Sequence, residues 1–180
     1  LLNEIVNDTG VTRPADILQA LKEGVIKALK QTGDAGTQKD GMDISLCSFD
    51  FDKGVVEYAG AYNSLFLIRD NQLEETKADR MPIGIYSDDH GKKFTNHEIK
   101  MEKGDVFYLF SDGYLDQFGG PKGKKFMGKR FKGLLMDIFS RGMDEQKAVM
   151  DDTIEDWKDH IEDGSVFEQM DDILVIGIKD

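Results

Sequence analysis

Two uninterrupted apolar runs, each with acidic residues at one end, constrain this chain more than any other feature. Val106-Phe107-Tyr108-Leu109-Phe110 runs straight into Ser111-Asp112-Gly113, and Asp171-Asp172 opens onto Ile173-Leu174-Val175-Ile176-Gly177-Ile178. Apolar residues without alternation fit strands buried on both faces of a sheet. An Asp-Gly step after one such strand points a carboxylate out at the sheet edge. The acidic pair stands in the mirror position before the other. If the two strands are neighbours, the carboxylates converge. The sequence therefore predicts Phe107, Leu109, Leu174 and Ile176 in the core, with Asp112 and Asp171 at one rim.

The rest of the chain sorts by periodicity. Leu1 to Val6 reads as the tail of a helix. A second helix starts at Thr12-Arg13-Pro14 and places Ile17, Leu18, Leu21, Val25, Ala28 and Leu29 on one face. Gly33 to Gly41 is a turn-rich connection. Strands follow from Met42 to Phe51, with a hairpin at Asp52-Lys53-Gly54 and a return through Val55 to Ala59. Further strands are expected at Leu65–Ile68 and Leu73–Thr76, and Phe94–Met101 is expected to pair with Asp105–Phe110. Helices resume at Phe131–Phe139 and Asp144–His160, the latter with a solvated acidic face from Asp151 to Asp163. Meandering strands with helices grouped before and after them make the class α+β, in a single domain over residues 1–180.

Composition removes several functions. With 23 Lys and Arg against 35 Asp and Glu, the formal charge is −12, which disfavours nucleic acid and anionic membranes as partners. No apolar run approaches the roughly 20 residues of a membrane span. No signal peptide opens the chain, so the expected compartment is the cytoplasm. The lone Cys47 excludes an internal disulfide and a thiolate zinc site, and its strand position makes it a core residue. His90, His97 and His160 lack ligand spacing, and Trp157 reads as packing. The cluster Lys122, Lys124, Lys125, Lys129, Arg130 and Lys132 fits either a solvated loop and helix start or a cationic rim. In the second case Lys124 and Lys125 would steer an anionic substrate. Asp112, Asp171 and Asp172 fit ordinary turn chemistry as well as hard oxygen ligation of Mg²⁺ or Mn²⁺.

The whole string from Gly104-Asp105 through Ser111-Asp112-Gly113-Tyr114-Leu115-Asp116-Gln117 resembles the signature of metal-dependent protein phosphatases of the 2C class. Within that class it is similar to the bacterial sporulation stage II E and stress-response branch, which acts on anti-sigma-factor antagonists. Gln169-Met170-Asp171-Asp172-Ile173 resembles the closing motif of that branch. Asp40-Gly41-Met42-Asp43, Tyr58-Ala59-Gly60-Ala61-Tyr62-Asn63 and Pro82-Ile83-Gly84 follow in the family's order, so the resemblance covers essentially all 180 residues.

The resemblance implies two stacked, mainly antiparallel β-sheets flanked by α-helices, an αββα sandwich. It implies hydrolysis of phosphoserine or phosphothreonine on a phosphorylated regulatory protein of the anti-sigma-antagonist type, with a two-metal site for Mn²⁺ or Mg²⁺. Asp112 and Asp171 would be metal ligands. Asp172 is the second choice of its pair, or a support for the strand start, and Gly113 would give backbone clearance. Two departures qualify the match. The family usually carries Ala-Gly-His-Asn where this chain has Ala59-Gly60-Ala61-Tyr62-Asn63. An Asp-x-x-Gly-His-Gly segment, whose Asp bridges the two metals, has no counterpart here. The expectation is thus an N-terminally truncated domain from a longer signalling protein with an upstream sensor or receiver domain. Its isolated form would be an impaired enzyme, with an unpaired sheet edge inclined to form a homodimer. The competing reading is a degenerate, non-catalytic module that binds a phosphoprotein partner.

Overall fold

The apolar runs and the hairpin signals resolve into nine strands among the described residues, which in this computed structural model are 1–32, 41–86, 91–159 and 166–179. Asp40, His90, His160, the connection 33–40 and the end of the acidic stretch beyond 159 lie outside them. The chain divides into two compact units, Leu1–Leu65 with Glu75–Lys103 and Phe66–Glu74 with Gly104–Asp180.

In the first unit, β1 (Ile44–Asp50) and β2 (Val55–Ala61) form an antiparallel hairpin, and β2 also pairs antiparallel with β5 (His97–Lys100). Helix α1 (Pro14–Ala28) begins with Pro14 in its first turn and lays Ile17, Leu18, Leu21 and Val25 against Ala59 and Ala61 of β2. Its face differs from the expected stripe at the C-terminal end, where Ala28 and Leu29 are exposed, and Lys22 is buried among the apolar residues. Leu1 to Val6 leads into a π-helical turn, Glu4–Asp8. Two of the stretches singled out in sequence meet here: Met42 and Ile83 exchange backbone hydrogen bonds of 3.1 and 2.9 Å.

In the second unit the sheet order is β4 (Gln72–Thr76), β3 (Leu65–Arg69), β6 (Val106–Phe110) and β9 (Val175–Lys179). Asp70 and Asn71, at φ 49° and 60°, make the two-residue β3–β4 turn; positive φ at both positions gives a turn that matches the right-handed twist of the flanking strands. Helices α3 (Met127–Ile138) and α4 (Met143–Asp159) cover the face carrying Phe66, Tyr108 and Phe110, where Phe131 and Leu135 complete the core. At the sheet margin, Arg69 donates to the buried Asp105 through both Nε (2.9 Å) and Nη2 (2.6 Å).

The class is α+β, with an antiparallel sheet and helices in each unit. Two expectations are corrected. β5 pairs with β2, not with β6: only Ile99 of β5 is apolar, which suits an edge, whereas β6 is apolar throughout and takes a central place between β3 and β9. The final strand is not buried on both faces. Phe107 is buried and Leu109 half-buried, but Leu174 and Ile176 are 57% and 45% exposed, because β9 is an edge strand and the face they share is open there.

Candidate functional site

β6 and β9 are antiparallel neighbours, with Leu109 opposite Ile176 and Phe110 opposite Val175. That register brings the end of β6 and the segment entering β9 to the same edge of the sheet. Ser111 fastens the two together. Its N–H donates to the Leu174 carbonyl (3.0 Å), its hydroxyl donates to the Asp172 carbonyl (2.8 Å), and the same oxygen accepts from the Leu174 N–H (3.0 Å). The chain turns at once into the one-turn helix α2 (Gly113–Asp116), with Asp112 at its N-terminal boundary and its carboxylate unused by the helix. A Cβ on Gly113 would collide with the Asp172 carbonyl, so only glycine lets the two segments approach this closely.

Asp112, Asp171 and Asp172 are all exposed on this edge. Asp171 is partly organised: its Oδ1 accepts from the Asp172 N–H (2.7 Å), and its carbonyl accepts from Gln169 Nε2 (2.8 Å). None of the three carboxylates pairs with a Lys or Arg among the described residues. Hard oxygen donors without a cationic counter-charge suit Mg²⁺ or Mn²⁺. The set is incomplete as a cage, because among the described residues no three His, Cys, Asp or Glu side chains close on one point.

One organising residue escaped the sequence reading. Gln117 is fully buried and holds the approach to Asp171. Its Nε2 donates to the Phe118 and Glu168 carbonyls (both 3.0 Å), and its Oε1 accepts from the Met170 N–H (3.3 Å). Its main-chain oxygen accepts from the Phe126 N–H (2.9 Å) and from Trp157 Nε1 (3.1 Å). Nearby, Tyr114 donates its hydroxyl to the Met150 carbonyl (2.8 Å), and burial raises its pKa.

The lysine cluster divides. Lys125, on the two-residue strand β8 (Lys124–Lys125) that pairs with β7 (Phe118–Gly119), bonds Asp116 at 2.7 Å. Lys124, one residue away, is exposed and without a carboxylate partner among the described residues. His97 stacks on Tyr58 at 5.8 Å in the first unit, and Cys47 is half-buried there, its thiol pushed up to about 12 by burial.

The chain is similar to several solved structures. The SiaA-PP2C domain of Pseudomonas aeruginosa is 27% identical with a TM-score of 0.80, and the match covers 99% of this chain and 65% of that one. The phosphatase domain of the cell fate determinant SpoIIE from Bacillus subtilis is 14% identical with a TM-score of 0.56, over 99% and 70%. The RsbU and RsbW domains of a Mycobacterium tuberculosis protein are 18% identical with a TM-score of 0.65, over 97% and 43%. The chain thus spans about 65% of the length of the Pseudomonas domain, and the latter two likenesses speak for the fold alone. Among curated proteins none matches. The model of the family described as Stage II sporulation protein E (SpoIIE) matches residues 2–179, nearly the whole sequence, and the chain belongs to that family.

Proposed function

We propose that this chain is part of a metal-dependent serine/threonine phosphoprotein phosphatase that acts on a small regulatory protein in bacterial signalling. The observation that carries the reading is the β6–β9 register, which sets Asp112 beside Asp171 and Asp172 on one sheet edge. Asp112 and Asp171 would hold Mn²⁺ or Mg²⁺, with Asp172 at the margin of the same site. When bound, such ions neutralise phosphate charge and activate water. The protein's own part is to aim the carboxylates. Ser111 clamps the two segments, Gly113 permits their approach, and Gln117 fixes the lead into Asp171. Substrate of the anti-sigma-antagonist type, an upstream sensor or receiver domain and a cytoplasmic setting belong to the same proposal.

The open donor set supports a second reading, a phosphoprotein-binding module without turnover. Mn²⁺-dependent release of phosphate from a phosphoserine protein separates the two, measured on this chain and on an upstream-extended form. The enzyme reading expects weak turnover by this chain and faster turnover by the extended one. Asp112→Asn or Asp171→Asn should lower the latter by about 100-fold or more, exceeding the 10–100-fold typical of losing an outer-shell partner. Undiminished turnover in both variants would place the active site elsewhere.

A further inference from the structure

The cationic segment after α2 does more than coat the surface: it builds a pocket. A cavity of about 200 Å³ is lined by Gly119, Pro121, Lys122, Lys124, Arg130 and Trp157. Its wall is the Trp157 indole, which Gly119 and Gly120 approach so closely that any Cβ would collide with that residue. The Arg130 guanidinium lies over the indole, 4.8 Å from the ring centre, and one of its N–H groups donates to the Phe126 carbonyl (3.0 Å). The guanidinium is thereby oriented before any ligand arrives, which lowers the cost of binding. Lys122 and Lys124 are exposed and have no carboxylate partner among the described residues.

Three cations around an apolar wall, with no acid in the lining among the described residues, match one anionic side chain on a short aliphatic stem. On a chain of net charge −12 an acidic partner is repelled over most of the surface, so a cationic island of this kind selects where and how it docks. Gln117 connects the pocket to the rim. Its carbonyl holds Trp157 and Phe126, while its side chain holds the backbone leading to Asp171.

We propose that this pocket receives an Asp or Glu side chain of the protein whose phosphate is presented to the Asp112–Asp171 rim. The proposal rests on the phosphatase reading for the identity of the partner, but its test reads binding alone. Trp157 is the only tryptophan in the sequence, so its fluorescence reports the pocket directly. The probe is an acetylated and amidated peptide of four consecutive glutamates flanked by glycines, compared with its glutamine counterpart and with inorganic phosphate at equal concentration. The expected result is a saturable fluorescence change with the glutamate peptide only, and binding weaker by about 10-fold or more in the Lys122→Glu/Lys124→Glu variant with unchanged circular dichroism. Equal binding of the glutamine peptide, an equal response to phosphate, or unchanged affinity in the variant would overturn it. A chain that hydrolyses phosphoprotein but leaves Trp157 silent removes the docking pocket alone. Peptide binding by this chain with no turnover in either this chain or its upstream-extended form removes the phosphatase reading alone.

Discussion

Gly113 and Gln117 shape the acidic rim by opposite means, one by lacking a side chain and the other by using both ends of its own. Gly113→Ala forces a methyl group into the Asp172 carbonyl, and urea denaturation should show a loss of about 1–3 kcal/mol. Gln117→Leu keeps the volume but removes the part-buried hydrogen bonds to the Glu168 carbonyl and the Met170 N–H; at about 0.5–1.5 kcal/mol for each bond, a measurable loss of stability is expected. The two were not equally readable in sequence. Gly113 acts where it stands, beside an Asp at a strand end. The partners of Gln117 come from α4 and from the approach to β9, and no local pattern marks an amide for them. Cys47 gives a third check. Burial raises its thiol from 9.0 to about 12, so the folded chain keeps a proton that the unfolded chain releases above about pH 9. Its stabilising contribution is complete below pH 9 and fades as the pH climbs toward 12. At pH 8, iodoacetamide should alkylate the native chain about 100-fold or more slowly than the urea-unfolded chain, and comparable rates would show the thiol to be open.

Strand positions were legible because the apolar runs Val106–Phe110 and Ile173–Ile178, which hold β6 and most of β9, are flanked by turn residues and acids. Pairing was less so. That β5 joins β2 depends on where the chain goes after Lys100, which the adjacency of Phe94–Met101 and Asp105–Phe110 in sequence does not encode. The exposure of β9 was not legible at all, since apolar character states what a residue prefers and not whether a neighbour is present. Leu174, just before β9, and Ile176, within it, lie exposed at the sheet edge, the arrangement that invites strand addition. Leu174→Thr with Ile176→Thr should reduce concentration-dependent self-association in sedimentation velocity and change folding stability by only about 0.5 kcal/mol. Self-association that survives the double substitution would exonerate this edge.

At the scale of the molecule, charge and chain path matter most. With a net charge of −12 and an isoelectric point near 4.7, the chain repels itself at neutral pH; turbidity should peak as the pH approaches 4.7 and fall on either side. The path has a consequence for synthesis. The second unit is assembled from two separate lengths of chain, Phe66–Glu74 and everything from Gly104 onward, with Glu75–Lys103 belonging to the first unit. On the ribosome the β3–β4 hairpin therefore emerges early and waits. Phe66 and Ile68 gain their partners Tyr108 and Val106 only after all of Glu75–Lys103 has been made, and β9 joins β6 later still. A chain truncated after Lys103 should thus carry a finished first sheet and a β3–β4 hairpin with apolar β3 uncovered, a species that chaperones recognise and proteases cut.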